Sequence, residues 1–586
     1  MTFLKKTPID FGKNKEKWLF GGWFVLSSLF YSWVILGPYG NFLVGIEYRL
    51  ALLAIPIGIS LVLLRKIRGS ISTLPAFLLI FIGYGVVYKV ITFLPTITSY
   101  PFTLTWSEGT AYYFASLFFS DQIYGVEANL PMINPTRHML LAIPFLLPEL
   151  PIWFHRLWEV VLWLLISGIT VAVISRRLAI QENVIRWAFA GWLFLYLFQG
   201  PVYYFLLLSL IPVIWGFDGK NFKRTLLLVL IGSAWAGASR VNWVPVPALV
   251  AAALYFLEEK VGDQDWVPYL LKPSIWLVSG VVVAFLAWFG YILWSGNPIE
   301  NFSAHFTSNL LWYRLLPNAT MRGGILLTIL IASIPLVGVI AVHLYKNAFN
   351  YHVVRRIGIG AILLVLFLGG LIVSTKIGGG NNIHNFDAYL IILLLTAAYL
   401  YFGKSAPDFN HPERKVSRRR LGILIPLAIL IPAIFVLQDG RPLSLPRESR
   451  VEDALLTIEE YTAEVVSEGG EALFIAERQL LTFGELQDVP LLPRYERMNL
   501  MEMVMARNLD YLDEFHQRIE NQDYDLIVSE PLSTNYKGRG EPFGDEHDIY
   551  VRLVAEPVLC YYEPVKTISK FPIQLLAPRP ESEVCS

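Results

Sequence analysis

The sequence predicts a polytopic α-helical membrane protein of about 13 transmembrane helices, followed by a soluble C-terminal α/β domain on the extracytoplasmic side. Three observations carry this. Of 586 residues, 55% are hydrophobic and only 16% are charged, where a soluble chain carries roughly 25% charged residues. Apolar runs near 20 residues long recur along the first three quarters, each long enough to cross a hydrocarbon layer roughly 30 Å thick. The zero net charge joins two unlike parts: residues 441–586 hold 28 acidic and 14 basic residues, which leaves 19 acidic and 33 basic in residues 1–440. A basic excess among membrane loops sets orientation rather than marking a nucleic-acid surface.

Taken in order, Lys5, Lys6, Lys13, Lys15 and Lys17 precede a first apolar run at about 18–37. That run is too long for the core of a cleavable signal and reads as a first span starting in the cytoplasm. The remaining runs lie at about 48–65, 72–96, 152–175, 183–199, 201–217, 225–239, 243–257, 274–294, 324–344, 357–374, 386–403 and 421–437. Positive charge then falls in alternate loops: Arg65/Lys66/Arg68, Arg176/Arg177, Lys220/Lys223/Arg224, Lys346/Arg355/Arg356, and Arg414 through Arg420. These share the side of the N-terminus, as the positive-inside rule requires. Thirteen crossings put residues 439–586 outside a plasma membrane, with residues 1–438 forming the membrane domain.

Three outer loops stand out. The first, 97–151, holds Glu108 in TWSEG, an apolar and aromatic stretch at 111–119 expected to lie on the membrane surface as an amphipathic helix, and the turn-rich ANLPMINPTRH. The second, 295–323, holds Asn301, His305, Arg314 and Arg322. The third, 375–387, reads TKIGGGNNIHNFD; its glycines give backbone freedom, and Asn381, Asn382, His384 and Asn385 give dense hydrogen-bonding capacity. From Asp439 the segment DGRPLSLPRES reads as a linker. Beyond it, helices are expected at 449–467 and 499–521, with strands at 472–476, 525–529 and within the apolar stretch 565–576. It contains no GxGxxG, P-loop or nucleophile elbow and reads as an accessory domain.

Glu108 is the first candidate for chemistry, because a carboxylate at a desolvated surface suits proton abstraction. Asp121 and Glu127 read as solvated neighbours. Positive residues on the outer side are few, with Arg137, Arg240, Arg314, Arg322 and Lys376 the clearest. An ionisable group near membrane depth is costly and usually pairs or serves a site; a lipid phosphate would satisfy it with charge-assisted hydrogen bonds, and snorkelling to headgroups is the plainer alternative. His138 and His384 lack HxH or HxxxH spacing, so hydrogen bonding is the expected role rather than metal ligation. Trp106 and Tyr124 are candidates for stacking on a sugar. Arg156 and Glu159, in the fourth span, read as a pair, either a structural salt bridge or a transporter-like one. Cys560 and Cys585 are too few for a disulfide framework.

The chain resembles the C-type multi-spanning glycosyltransferases that use polyprenyl-phosphate-linked sugars, a superfamily that includes the protein mannosyltransferases and the lipid A aminoarabinose transferases. The likeness lies in TWSEG with its following helix, the QIYG turn, the NPTRH return, SRVNW and KIGGGNNIHNFD, across roughly residues 70–400. The resemblance implies inverting transfer of a sugar from a polyprenyl-phosphate donor to a lipid, glycan or protein acceptor on the outer face. Glu108 would be the base, with Arg137, His138, Arg240, Lys376, Asn382 and His384 binding substrate and the carrier phosphate. It leaves a divalent metal open. Protein mannosyltransferases carry an acidic pair where Ser107 precedes Glu108 here, and no WWD-like motif is present, which argues against an oligosaccharyltransferase. The alternative is a secondary transporter or lipid-linked sugar flippase. That alternative predicts internal repeats and charges at the bilayer midplane, whereas the charges here cluster near the outer ends of spans.

Overall fold

The computed structural model describes residues 14–69, 71–261, 265–376, 379–409 and 418–580. Within them, eight helical stretches are long and apolar enough to cross a membrane: Glu16–Leu36, Ile46–Ile67, Thr73–Thr96, Ile152–Arg177, Val241–Glu258, Trp266–Ser295, Gly324–Tyr345 and Val353–Ser374. The other five apolar runs coincide with the helices Asn183–Gln199, Tyr204–Gly216, Phe222–Ser239, Asp387–Tyr401 and Arg418–Gln438, which are shorter or less apolar. The chain is therefore helical and suited to a bilayer, while helix length alone does not fix the number of crossings.

The bundle is built around helices that are apolar all round. Asp387–Tyr401 is buried from Asp387 to Leu400, and Val246–Glu258 is buried from Val246 to Leu257, as expected of helices with no polar face. Close packing uses small residues. A Cβ on Gly237 would collide with the Ala284 backbone carbonyl, and one on Gly232 with that of Ser209. Both glycines lie on Phe222–Ser239, which therefore packs tightly against Trp266–Ser295 and Tyr204–Gly216.

Buried arginines finish the helix ends. The last carbonyls of a helix lack intrahelical partners, and in an apolar surround they need donors from the protein itself. Arg49, 1% exposed, donates to the carbonyls of Leu43 (2.9 Å), Leu437 (2.8 Å), Asp439 (2.6 Å) and Gly440 (2.8 Å), closing the end of Arg418–Gln438. Lys89 meets the Asp439 carboxylate at 2.9 Å beside it. Arg355 donates to Phe256 O (2.6 Å), Leu257 O (3.1 Å) and Ala406 O (2.7 Å), and pairs with Asp408 at 2.7 Å. Arg177 donates to Ile214 O (2.9 Å) and Phe217 O (3.2 Å) and pairs with Glu258 at 2.7 Å.

After a coil at 439–447 and the helix Glu448–Ser467, a four-stranded sheet forms from β1 (Ala472–Phe474), β2 (Leu526–Ser529), β3 (Tyr562–Ile568) and β4 (Ile573–Pro578). Its order is β1-β2-β4-β3, with β1 parallel to β2 and the other two pairings antiparallel. The apolar stretch at 565–576 is thus a hairpin, β3 and β4, rather than a single strand. The helix expected at 499–521 is two helices, Arg497–Ala506 and Leu509–Glu520. Arg507 adopts a left-handed conformation (φ 54°), and the Asn508 side chain accepts from Tyr511 N at 3.2 Å to start the second helix.

The stretch expected to lie on the membrane surface does not do so. The helix Glu108–Ser116 is buried from Gly109 to Ser116, with apolar residues on two faces. Ala111, Tyr112 and Ala115 pack in the bundle core, whereas Tyr113 and Phe114, with Phe102 and Leu117, pack with Leu480, Val528 and Phe571 beneath the sheet. One helix is therefore shared by two cores. Phe114→Ala should lower stability by about 3–5 kcal/mol, read as a large drop in thermal midpoint in detergent. A shift of a degree or less would contradict this shared packing.

Candidate functional site

The three long segments singled out in the sequence meet the C-terminal residues around one cavity of about 1140 Å³. The first contributes Thr105, Trp106, Ser107, Asn134 and Arg137; the second contributes Ser308; the third contributes Lys376, Asn381, Asn382, His384 and Asn385. Residues 239–242, at the end of the helix Phe222–Ser239 and just beyond it, complete this wall. The facing wall comes from Met498, Met501, Glu502, Glu530, Lys537, Glu546 and His547.

Five of the six residues expected to bind substrate line the cavity. Arg240 donates from Nη2 to Asn385 Oδ1 at 3.0 Å, and its Nη1 is buried with no hydrogen-bond partner among the described residues. Arg137 reaches Glu159 at 3.0 Å and keeps a 20% exposed side chain. Lys376 is partly buried, and burial lowers its pKa while Glu502 opposes the shift. The His384 ring is edge-on to Tyr203 at 5.6 Å and bonded to the Asn382 side chain, which also accepts from His384 N at 2.8 Å. Burial, and then Arg240, hold His384 neutral with a pKa lowered to about 3. It is therefore held as a neutral hydrogen-bonding ring rather than a cation.

His138 stands behind the wall. It is 2% exposed, donates from Nδ1 to Ala111 O at 3.2 Å, and has its pKa lowered to about 3 by burial and Arg137. This supports the shared helix instead of facing a ligand. Tyr124 likewise bonds Ser116 Oγ (2.6 Å) and Thr482 Oγ1 (2.7 Å) and is not in the wall, whereas Trp106 is, with the Arg497 guanidinium 4.9 Å from its ring centroid. Asp121, Glu127 and Arg322 are exposed. Arg314 is fully buried and paired with Glu546, linking the second loop to the C-terminal part. Cys560 is half-buried, and Cys585 lies outside the described residues.

Glu108 does not line the cavity, although the three residues before it do. Its Oε1 meets Arg156 Nε at 2.6 Å and its Oε2 accepts from Leu104 N at 2.8 Å. Arg156, 1% exposed, also donates to Thr98 O and Tyr100 O (2.6 Å each) and Phe102 O (3.2 Å). Arg156 and Glu159 are therefore not each other's partners: Arg156 holds Glu108, while Glu159 sits between Arg137 and the Tyr112 hydroxyl at 3.2 Å. On one helical turn, the i and i+3 residues take their ionic partners from two different short helices of the first loop, Glu108–Ser116 and Pro135–Leu141.

The C-terminal acids of the cavity were not among the sequence candidates. Glu546 pairs with Arg314, and Glu530 lies 3.5 Å from Arg497. Glu502 accepts no hydrogen bond among the described residues. Burial raises its pKa to about 7, with Arg240 and Lys376 opposing. The available signal was a lone carboxylate in the apolar run MNLMEMVMA. No group of three or more His, Cys, Asp and Glu is placed to hold a metal ion among the described residues. Comparison of the chain with protein-family models and with curated proteins finds no match in either.

Two outcomes follow from these charges. Glu108→Ala leaves the Arg156 guanidinium buried without its counterion and should cost about 3–5 kcal/mol, seen in a chemical or thermal melt; unchanged stability would contradict the pairing. Glu502 has a folded pKa above its unfolded value, so its contribution is fully present below about pH 4.5 and is lost as pH rises through about 7. Glu502→Gln should therefore raise the melting temperature at pH 8.5 relative to wild type and change little at pH 4. Equal shifts at both pH values would contradict the buried environment.

Proposed function

We propose that this chain is a membrane glycosyltransferase that moves a sugar from a polyprenyl-phosphate donor to an acceptor on the outer face of a plasma membrane, with inversion. The observation that carries the reading is the cation wall: Arg137, Arg240 and Lys376 converge on one cavity with His384 and Asn382, and Arg240 Nη1 is buried with no hydrogen-bond partner among the described residues. A buried donor left unmade is costly, and a phosphate oxygen would satisfy it. The two sugar-sized needs, polar groups and an aromatic face, are supplied by Asn381, Asn382 and Trp106. Glu108 is held by Arg156 and by Leu104 N, outside the cavity wall. As held, it fixes Thr105–Ser107 in the cavity wall and acts as a positioning residue.

Thirteen crossings with the cavity outside are part of the same proposal. Contacts between loops support the parity. Arg177 meets Glu258 and Tyr399, and Arg355 meets Asp408, all in segments that loop charge puts inside. Arg49 and Lys89 meet residues 437–440, and Arg137 meets Glu159, at ends that the same rule puts outside. In that topology the sheet-bearing C-terminal part, residues 439–586, is an extracytoplasmic domain that covers the cavity.

The test is a transfer assay with purified protein in nanodiscs, radiolabelled polyprenyl-phosphate sugars and extracted membrane acceptors. Label should move to an acceptor with release of polyprenyl phosphate. Arg240→Ala and Lys376→Ala should each weaken donor binding about 10- to 100-fold, the loss expected for one charge-assisted hydrogen bond. Movement of donor across a liposome bilayer with no transfer would contradict the enzyme and favour a flippase.

A further inference from the structure

We propose that Glu502, from the C-terminal part of the chain, is the carboxylate that accepts the acceptor's proton in the cavity. The inference rests on the glycosyltransferase reading above. Among the described residues three carboxylates line the cavity, and two sit beside an arginine of the structure: Glu546 pairs through Oε1 with the buried Arg314, its Oε2 being buried without a partner, and Glu530 Oε2 lies 3.5 Å from Arg497. Glu502 lines the same space and accepts no hydrogen bond among the described residues. It sits on the helix Arg497–Ala506, whose start is fixed by Glu496 accepting from Met498 N at 2.8 Å and by Thr110 donating to Glu496 at 2.6 Å. A base must be held this firmly to act at hydrogen-bond reach. Arg240 and Lys376 act on Glu502 electrostatically from the opposite wall, so the groups suited to the leaving phosphate face the group suited to the proton.

The step balances as follows. The acceptor hydroxyl oxygen forms a bond to the anomeric carbon from the face opposite the phosphate. The bond between that carbon and the phosphate oxygen breaks, and its electron pair leaves with polyprenyl phosphate, held by Arg240 and Lys376. The hydroxyl proton passes to Glu502 and then to solvent. Besides Arg240 and Lys376, the charged or titratable groups lining the cavity are Arg137, Tyr203 and His384 on the opposite wall, and Glu530, Lys537 and, from the packed helix Gly544–Tyr550, Glu546, His547 and Tyr550 on the wall that carries Glu502.

The experiment measures donor binding and transfer separately, from pH 5 to 9, for wild type, Glu502→Gln and Glu502→Asp. Glu502→Gln should bind donor as wild type does but lose roughly 100-fold or more in kcat, the usual worth of a general base. The wild-type rate should rise with pH through about 7, as the Glu502 carboxyl deprotonates, and the residual rate of the variant should lose that limb. Normal kcat in Glu502→Gln, or a raised acceptor KM with kcat unchanged, overturns the proposal while leaving the transferase reading intact. Absence of donor binding and transfer in wild type overturns the transferase reading itself. If Glu502→Gln does not fold, Glu502→Asp decides: a lower kcat with the pH limb retained supports the role, and an unchanged kcat overturns it.

Discussion

The cavity depends on Arg156. A membrane helix, Ile152–Arg177, presents this arginine to an irregular backbone at 98–102 and to the Glu108 carboxylate. Carbonyls at that depth would otherwise have no donors, a cost of roughly 1–3 kcal/mol for each unmade bond. With them satisfied, the chain can leave the regular helix and still stay packed. It then re-enters as Glu108–Ser116, whose two apolar faces belong to two different cores. Thr105, Trp106 and Ser107 reach the cavity because both sides of that turn are fixed.

From that anchor, a division of charge follows. Arg137, Arg240 and Lys376 come from the first loop, the end of the helix Phe222–Ser239 and the third loop, whereas Glu502 and Glu546 come from C-terminal helices and Glu530 from the bend after β2. Each wall alone would expose like charges to one another at a cost. Facing each other across the cavity, the cations and acids offset one another's charge. The Arg314–Glu546 pair and the hydrogen bond from Phe543 N to Thr320 Oγ1 at 3.0 Å hold the walls at this separation. The loops and the C-terminal part are therefore one structural unit at the site.

Much of the helical framework was legible because apolar runs long enough to be helices leave few alternatives. That Arg137, Arg240, Lys376, Asn382 and His384 share one cavity was also partly legible, since cations are rare near those helix ends and the glycine and asparagine segment is unusual. Three features were hidden. Glu108–Ser116 looks amphipathic by composition, but nothing in a local pattern says that its second face meets Leu480 and Phe571, more than 350 residues away. Arg156 and Glu159 are one turn apart and read as partners, yet each found a better-placed partner on another segment. Glu502 sits in an apolar methionine-rich run, where an acid reads as a helix surface until the opposite wall is known. All three depend on contacts between distant segments, which residue spacing does not encode.

The central claim is that the cation wall binds the phosphate of a lipid carrier. The most direct measurement is a cryo-electron microscopy structure of the protein in nanodiscs with added polyprenyl phosphate. The account predicts headgroup density within hydrogen-bond reach of Arg240 Nη1 and beside Lys376, with the lipid tail leaving the cavity towards the bilayer. Headgroup density elsewhere on the bundle, with the cavity occupied only by water, would contradict it.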